Sequence, residues 1–240
     1  MPKIHVLLKK EELNSEQLPG KVVIVFDILF ATTSIVAALA HGASEVVPAL
    51  DRTACIAETE GRPPESYILA GELNAQTLEG FVHPTPLALL HQNINQRSVL
   101  YSTTNGTVAL KKSVGAEHIY AAALLNARAI VTYVLRHHPD NTLLIVCSGS
   151  AGNFNLEDFY GAGCLVSLFR ELGGGRFEFT DTALAAQMLQ RQGNALQCLS
   201  QARVGRHMLA RKLDEEVHYA AQQHCFGVVP KLINGSLRSV

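Results

Sequence analysis

The chain has 240 residues and no Trp; 48% are hydrophobic and only 17% charged, and the formal net charge is -1 at pH 7. That balance argues against nucleic acid or a membrane surface as a partner, and no apolar run is long enough to span a bilayer. The opening MPKIHVLLKKEELN has too short an apolar run for a signal peptide, and five scattered cysteines without a C-x-x-C pair suit reduced thiols in a cytoplasm.

Strand and helix patterns alternate along the chain. Ile4–Leu8 reads as a strand. Lys21–Phe26 is an unbroken apolar strand that stops at Asp27, and a helix follows at Thr33–Ala40. Next come a strand at Glu45–Ala49, a helix at Thr53–Glu60 and a flexible loop, EGRPPES, at Glu60–Ser66. Tyr67–Leu69 is a strand leading to Glu72, and Thr85–Gln92 is a helix. Arg97–Ser102 (strand), Thr107–Lys112 (helix), His118–Ala121 (strand), Ala127–His137 (helix), Thr142–Cys147 (strand) and Glu157–Leu172 (helix) continue the alternation. After Gly173–Gly175 the pattern becomes helical at Thr182–Gln192, Ala195–Gln201, Gly205–Lys212 and Asp214–His224, with a late strand at Val228–Ile233.

Unbroken β-branched runs mark strands covered on both faces. The order predicts an α/β fold: a mainly parallel or mixed sheet with right-handed crossovers, helices on both faces and a helical C-terminal part. No Pro-, Ser- or charge-rich linker divides it. We expect one domain over residues 1–240, with a helical cover over about 176–225 on the same sheet.

Three strand ends are alike: VVIVFDILFATTS, VLYSTTNGTVAL and LLIVCSGSAGNFNLEDF. Each apolar strand runs into small, polar or Gly residues and then a helix. In open α/β sheets ligands bind beyond the carboxyl ends of strands. Thr32, Thr33, Thr103, Thr104, Asn105 and Ser148 offer polar groups there, and Gly106, Gly149 and Gly152 allow close backbone approach. Helix starts present free N–H groups that favour phosphate. The nearby acids Asp27, Glu72, Glu157 and Asp158 are hard oxygen ligands of the kind that hold Mg²⁺ beside phosphate.

Each residue also has a structural reading. Asp27 is a good helix cap, and Thr32-Thr33 a good helix start. Asn105-Gly106 is a turn signal. Glu157 and Asp158 suit the first turn of a helix, and Glu72 suits a solvated strand end. Cys147 reads either as a small buried residue or as a nucleophile. The repetition of one pattern at three strand ends favours a site. Other patterns fail: there is no H-E-x-x-H, no Walker-type loop and no G-x-S-x-G. Leu29 stands where a haloacid-dehalogenase-type phosphatase needs a second Asp, and Asn153 where a cysteine phosphatase needs Arg.

These motifs resemble the 2-phosphosulfolactate phosphatases, Mg²⁺-dependent enzymes of coenzyme M and sulfolactate formation. The resemblance runs through residues 22–48, LAGEL at 69–73, STTNGTVAL at 102–110, LLNA at 124–127, CSGSAGNFNLEDFYGAG at 147–163 and GRHMLARKLDEEVHYAA at 205–221. It implies a cytoplasmic phosphatase acting on a small anionic ester. It also implies Mg²⁺ on acids among Asp27, Glu72, Glu157 and Asp158, with catalysis by Asp27, Glu72, Asn105 and Glu157. Substrate would meet Thr32, Thr33, Thr103, Thr104, Gly106, Ser148 and Gly149. Two departures stand out. Phe30 occupies the Arg position of the family's usual D-V-L-R-A-T-[ST] run. Val82-His83-Pro84-Thr85-Pro86 replaces a G-N-S-P turn. Losing an Arg that meets a buried charge costs ~2–5 kcal/mol; Arg128, Arg206 and Lys231 are candidates to replace it. The alternatives are a non-catalytic anion-binding or regulatory homologue and a phosphatase with a changed substrate. The long, weakly charged helices are compatible with a homodimer, though no heptad pattern requires one.

Overall fold

A computed structural model describes all 240 residues. Eleven strands form one sheet: β1 (Lys3–Leu7), β2 (Val22–Phe26), β3 (Glu45–Ala49), β4 (Tyr67–Leu73), β5 (Gln76–Thr77), β6 (Ser98–Ser102), β7 (His118–Ala122), β8 (Leu143–Cys147), β9 (Glu178–Phe179), β10 (Pro230–Ile233) and β11 (Ser236–Ser239). Their order is β5-β4-β6-β3-β11-β10-β7-β2-β8-β1-β9. Ten α-helices accompany them: α1 (Ala31–Ala40), α2 (Arg52–Ala57), α3 (Pro86–Leu90), α4 (Gly106–Lys112), α5 (Ala127–His137), α6 (Leu156–Leu172), α7 (Asp181–Gln192), α8 (Ala195–Gln201), α9 (Arg203–Ala210) and α10 (Asp214–Ala220). The α/β class and all eight expected strands are present. No helix is long and apolar enough to cross a membrane.

The sheet is mixed. One parallel block is β4-β6-β3 and the other β7-β2-β8-β1-β9. The late strand does return to the sheet, but as half of a hairpin that joins the blocks. Strand β10 pairs antiparallel with β7 at Lys231–Tyr120, and β11 antiparallel with β3 at Leu237–Val46. Asn234 (φ 48°) and Gly235 (φ 86°) make its turn, the positive-φ pair that tight hairpins require. Three successive antiparallel pairings put the two blocks in opposite senses along the sheet. The ends of β2 and β6 therefore do not share one edge of a flat sheet, as the similarity of the three strand ends suggests.

Packing brings them together instead. All residues of β2, β3, β6 and β8 are buried. Along β2, Val22, Ile24 and Phe26 join one apolar cluster, and Val23 and Val25 another. The second cluster gathers Val23 and Val25 with Ile68 and Ala70 of β4, Val99 and Tyr101 of β6, Ile35 and Ala38 of α1, and Ala109 and Leu110 of α4. Gly106, beyond β6, comes against Asp27, beyond β2, although four strands separate β2 from β6, so the sheet is bent around α1 and α4. On the other face, alternate residues of β1, β2, β7 and β8 meet α5, α6 and the C-terminal helices in the larger cluster.

Glu45 ties the hairpin to β3. Its carboxylate meets Arg238 of β11 at 2.7 Å and Arg62 at 2.9 Å. Burial pushes its carboxyl up, but the hydrogen bonds from Arg62 and Arg238 outweigh this and lower it to about 2. Leu237 is fully buried between the blocks. Leu237→Ala is expected to lower the unfolding free energy by about 2–5 kcal/mol, read as a lower urea midpoint at unchanged slope.

Candidate active site

Asp27 directly follows β2 and is buried. Its N–H donates to Thr32 Oγ1 at 2.9 Å, and its carbonyl accepts from the Thr32 N–H at 2.9 Å. Thr33 donates its hydroxyl to the Ile28 carbonyl at 2.8 Å. Both threonines are fully buried and their hydroxyls are engaged in shaping the β2–α1 turn. Helix α4 meets this turn through Gly106. A Cβ at position 106 would lie 2.7 Å from Asp27 Oδ2 and would clash with Ala31. Only glycine lets the β6 end reach the β2 end this closely. Burial raises the Asp27 carboxyl to about 6, and the charge of Glu72 adds to this. Lys10 and the N–H groups of Gly106 and Phe30 pull it back.

Glu72 comes from β4 in the opposite block. It accepts the Thr104 N–H at 2.7 Å, the Thr104 hydroxyl at 3.1 Å and the Ala75 N–H at 2.6 Å. Asn74 and Ala75 both hold positive φ, 53° and 62°. Alanine rarely adopts that conformation; here its N–H is held by Glu72, and its carbonyl accepts from Arg211 at 2.8 Å. Lys10 is buried, and its ammonium donates to Asn105 Oδ1 at 3.0 Å and the Ser148 carbonyl at 3.2 Å. Because Lys10 can only donate, it fixes the Asn105 oxygen and leaves the amide N–H₂ as the side chain's donor.

The loop after β8 supplies two more acids. Asp158 accepts the Ile28 N–H at 2.9 Å and the Gly149 N–H at 3.3 Å, so it clamps the β2 and β8 ends together. Gly149 adopts φ +61°, and a Cβ there would meet the Asn153 carbonyl at 2.6 Å. Glu157 is 1% exposed, and neither of its carboxylate oxygens has a hydrogen-bond partner. Burial raises it to about 7, with the Asp27 charge adding and its own N–H and Arg203 opposing. Asp158 lies well above its ordinary range, through burial and then the charges of Glu157 and Asp27. Cys147 is buried in the core, which pushes its thiol well up, and it does not border the pocket.

These elements surround a pocket of about 560 Å³. Of the residues expected from sequence, Asp27, Glu72, Thr103, Thr104 and Asn105 line it. Thr32, Thr33, Gly106, Ser148, Gly149, Glu157 and Asp158 stand behind the lining. The pocket's arginines are ones the sequence reading did not select: Arg203, which bonds Ser150 Oγ and Asn155 Oδ1, and Arg211. The three cations considered there lie elsewhere. Arg128 faces Glu171, Arg206 donates to the Gln201 carbonyl, and Lys231 sits over the Tyr120 ring. The i, i+4, i+8 spacing of Arg203, His207 and Arg211 was the available signal, since it places them on one helical face. Phe30 and His83 also line the pocket and touch each other edge-on, with ring centroids 5.8 Å apart. No three His, Cys, Asp or Glu side chains are close enough together to hold a metal ion.

A profile of the 2-phosphosulpholactate phosphatase family matches residues 7–235. Proteins named probable 2-phosphosulfolactate phosphatase are similar over nearly full length. The one from Caldanaerobacter subterraneus subsp. tengcongensis is 31% identical over 95% of this chain and 94% of its own. Those from Symbiobacterium thermophilum and Carboxydothermus hydrogenoformans are each 32% identical, over 93% and 95% of this chain and 96% and 92% of their own. The chain belongs to the 2-phosphosulpholactate phosphatase family.

Proposed function

We propose that the protein is a Mg²⁺-dependent phosphatase that hydrolyses a small anionic phosphate monoester, with 2-phosphosulfolactate, cleaved to sulfolactate and phosphate, as the first ester to test. The observation that carries this reading is the meeting of two carboxylates, Asp27 and Glu72, from opposite strand blocks on one pocket beside Thr103, Thr104 and Asn105. The substrate is the one for which the relatives are named. The unpaired cysteines and the want of a membrane-crossing helix agree with a cytoplasmic location as part of the same proposal.

The donor set fits Mg²⁺, which takes one or two carboxylates and completes its octahedron with waters and phosphate oxygens. Asp27 and Glu72, the two carboxylates that line the pocket, would hold it; Asp158 and Glu157 lie behind the lining. When bound, the ion would offset charge developing on the phosphoryl group. The protein's own part is positioning and charge, because phosphoryl transfer asks little covalent chemistry of it. The Asn105 amide donates to a phosphate oxygen, and Lys10 holds that amide in place. Asp27 accepts a hydrogen bond from the attacking water. Arg203 and Arg211 face the substrate's remaining anionic group. Glu157 is buried behind the lining, where the Asp27 charge reaches it.

Asp27→Asn should reduce Mg²⁺-dependent phosphate release by at least about 10²-fold in kcat, without lowering the thermal midpoint at pH 8. Binding of the ester without phosphate release by the unaltered protein would identify an anion-binding homologue instead. A second expectation concerns pH. Asp27 and Glu157 have folded values, about 6 and about 7, above the ordinary carboxyl range. The folded state therefore holds protons that the unfolded chain has lost. The stability from these protons is complete below about pH 4 and is lost as pH rises through about 6 to 7. Chemical denaturation of the metal-free protein should show this fall, at up to ~1.4 kcal/mol per pH unit per group. Glu157→Gln should flatten the slope by about one proton.

A further inference from the structure

The pocket lining is of two chemical kinds. The strand ends contribute the polar Asp27, Glu72, Thr103, Thr104 and Asn105. The apolar part comes from Leu29 and Phe30, in the same turn as Asp27, and from Val204, Met208 and Leu213 in and after α9. Leu29 and Met208 belong to the large apolar cluster beneath the helices, and Phe30, Val204 and Leu213 pack against it. Leu29 and Met208 are almost fully covered, so the apolar surface open to the pocket is that of Phe30, Val204 and Leu213, backed by the cluster. His83 meets the Phe30 ring edge-on, and its Nδ1 is 3.0 Å from Thr85 Oγ1, which sets the orientation of the imidazole.

Helix α9 divides the pocket chemically. Residues four apart lie on one helical face. Arg203 and His207 make one stripe, with Arg211 just past the helix end, and Val204 and Met208 make the stripe beside it. Both stripes line the pocket. No Lys or Arg stands among the five apolar residues. An anionic group laid there would lose its water without gaining a partner, which costs far more than burying an apolar group.

We propose that the pocket selects a 2-phosphorylated hydroxy acid whose remaining substituent is apolar, an alkyl or aryl group seated on Phe30, Val204 and Leu213 while its carboxylate turns to Arg203, His207 and Arg211. This rests on the phosphatase reading for the position of the phosphate. It departs from that reading in replacing the sulfonate by an apolar group. Phe30 is the specificity-determining residue, because it is the bulky side chain at the junction of the apolar lining and the Asp27 turn.

The test separates binding from turnover. Isothermal titration of the Mg²⁺-loaded protein compares 2-phospho-3-phenyllactate with 2-phosphosulfolactate, and phosphate release is followed for both. The phenyl ester is expected to bind about tenfold tighter or better, the scale on which a filled apolar pocket discriminates. Phe30→Ala should shrink this preference, and Phe30→Arg should reverse it; melting curves check that each variant folds. The wild-type comparison stands without the variants. Equal or tighter binding of the sulfonate ester by the wild type, or binding of neither ester, overturns the inference. Tighter binding of the phenyl ester with no phosphate released from either supports the inference and overturns the phosphatase reading. Release from both with a sulfonate preference does the reverse.

Discussion

Three carboxyl groups, Asp27, Glu157 and Asp158, are buried within reach of one another's charge, and the local structure is organised around making that tolerable. A buried carboxylate needs hydrogen bonds or a counter-charge, or else it keeps its proton. Asp158 has the N–H groups of Ile28 and Gly149. Asp27 has those of Gly106 and Phe30, with Lys10 nearby. Glu157 has no partner for either oxygen. The first two are therefore part of the fold, since their partners are the backbones of three strand-end turns. All three are raised by burial and so cost the metal-free protein stability when ionised, Glu157 with the least compensation. Such features persist where function needs them.

That arrangement depends on the shape of the sheet. Asp27 and Glu72 belong to blocks that run in opposite senses, joined by the β10–β11 hairpin. Nothing in the local sequence at either acid brings them together. The bend around α1 and α4 does, and it closes to contact distance at Gly106, where no side chain separates the α4 start from Asp27 and Ala31. The pocket is then completed from the other face by α9. Its helix runs beside the same cluster that β2 enters through Phe26. Core packing on both faces of β2 thus sets the distance between the acids and the arginines.

Much of this was legible in the sequence, for identifiable reasons. Strands buried on both faces read as unbroken β-branched runs, so β2, β6 and β8 and their polar ends stood out. The hairpin was half seen: the late strand was found, but β11 was not, although Asn234-Gly235 is a strong turn signal. Strands β5 and β9 have two residues each, too few to show periodicity. Among site residues, Asp27, Glu72 and the Thr103–Asn105 turn face the pocket. The Thr32 and Thr33 hydroxyls bond the backbone, a choice that composition cannot reveal. Arg203 and Arg211 escaped notice because charged residues on a C-terminal helix look like a solvated face. Moreover, α9 starts at Arg203, two residues before the predicted helix start, so the stripe was cut at its first member.

The two departures from the resembling sequence pattern turn out to be one. Phe30 and His83 are 53 positions apart, and the sequence gives no reason to link them. In the structure their rings are in contact on the pocket wall. Phe30 immediately precedes α1, so its backbone is held by the Asp27 turn. His83 is steadied by Thr85, which in turn opens α3. A cationic side chain at position 30 would give up the edge-on contact with His83 and the apolar packing that Phe30 makes. An aromatic side chain there is consistent with an imidazole at position 83 and apolar neighbours at 29 and 208. The two changes therefore meet on one part of the pocket lining, where they bear on what the pocket can hold.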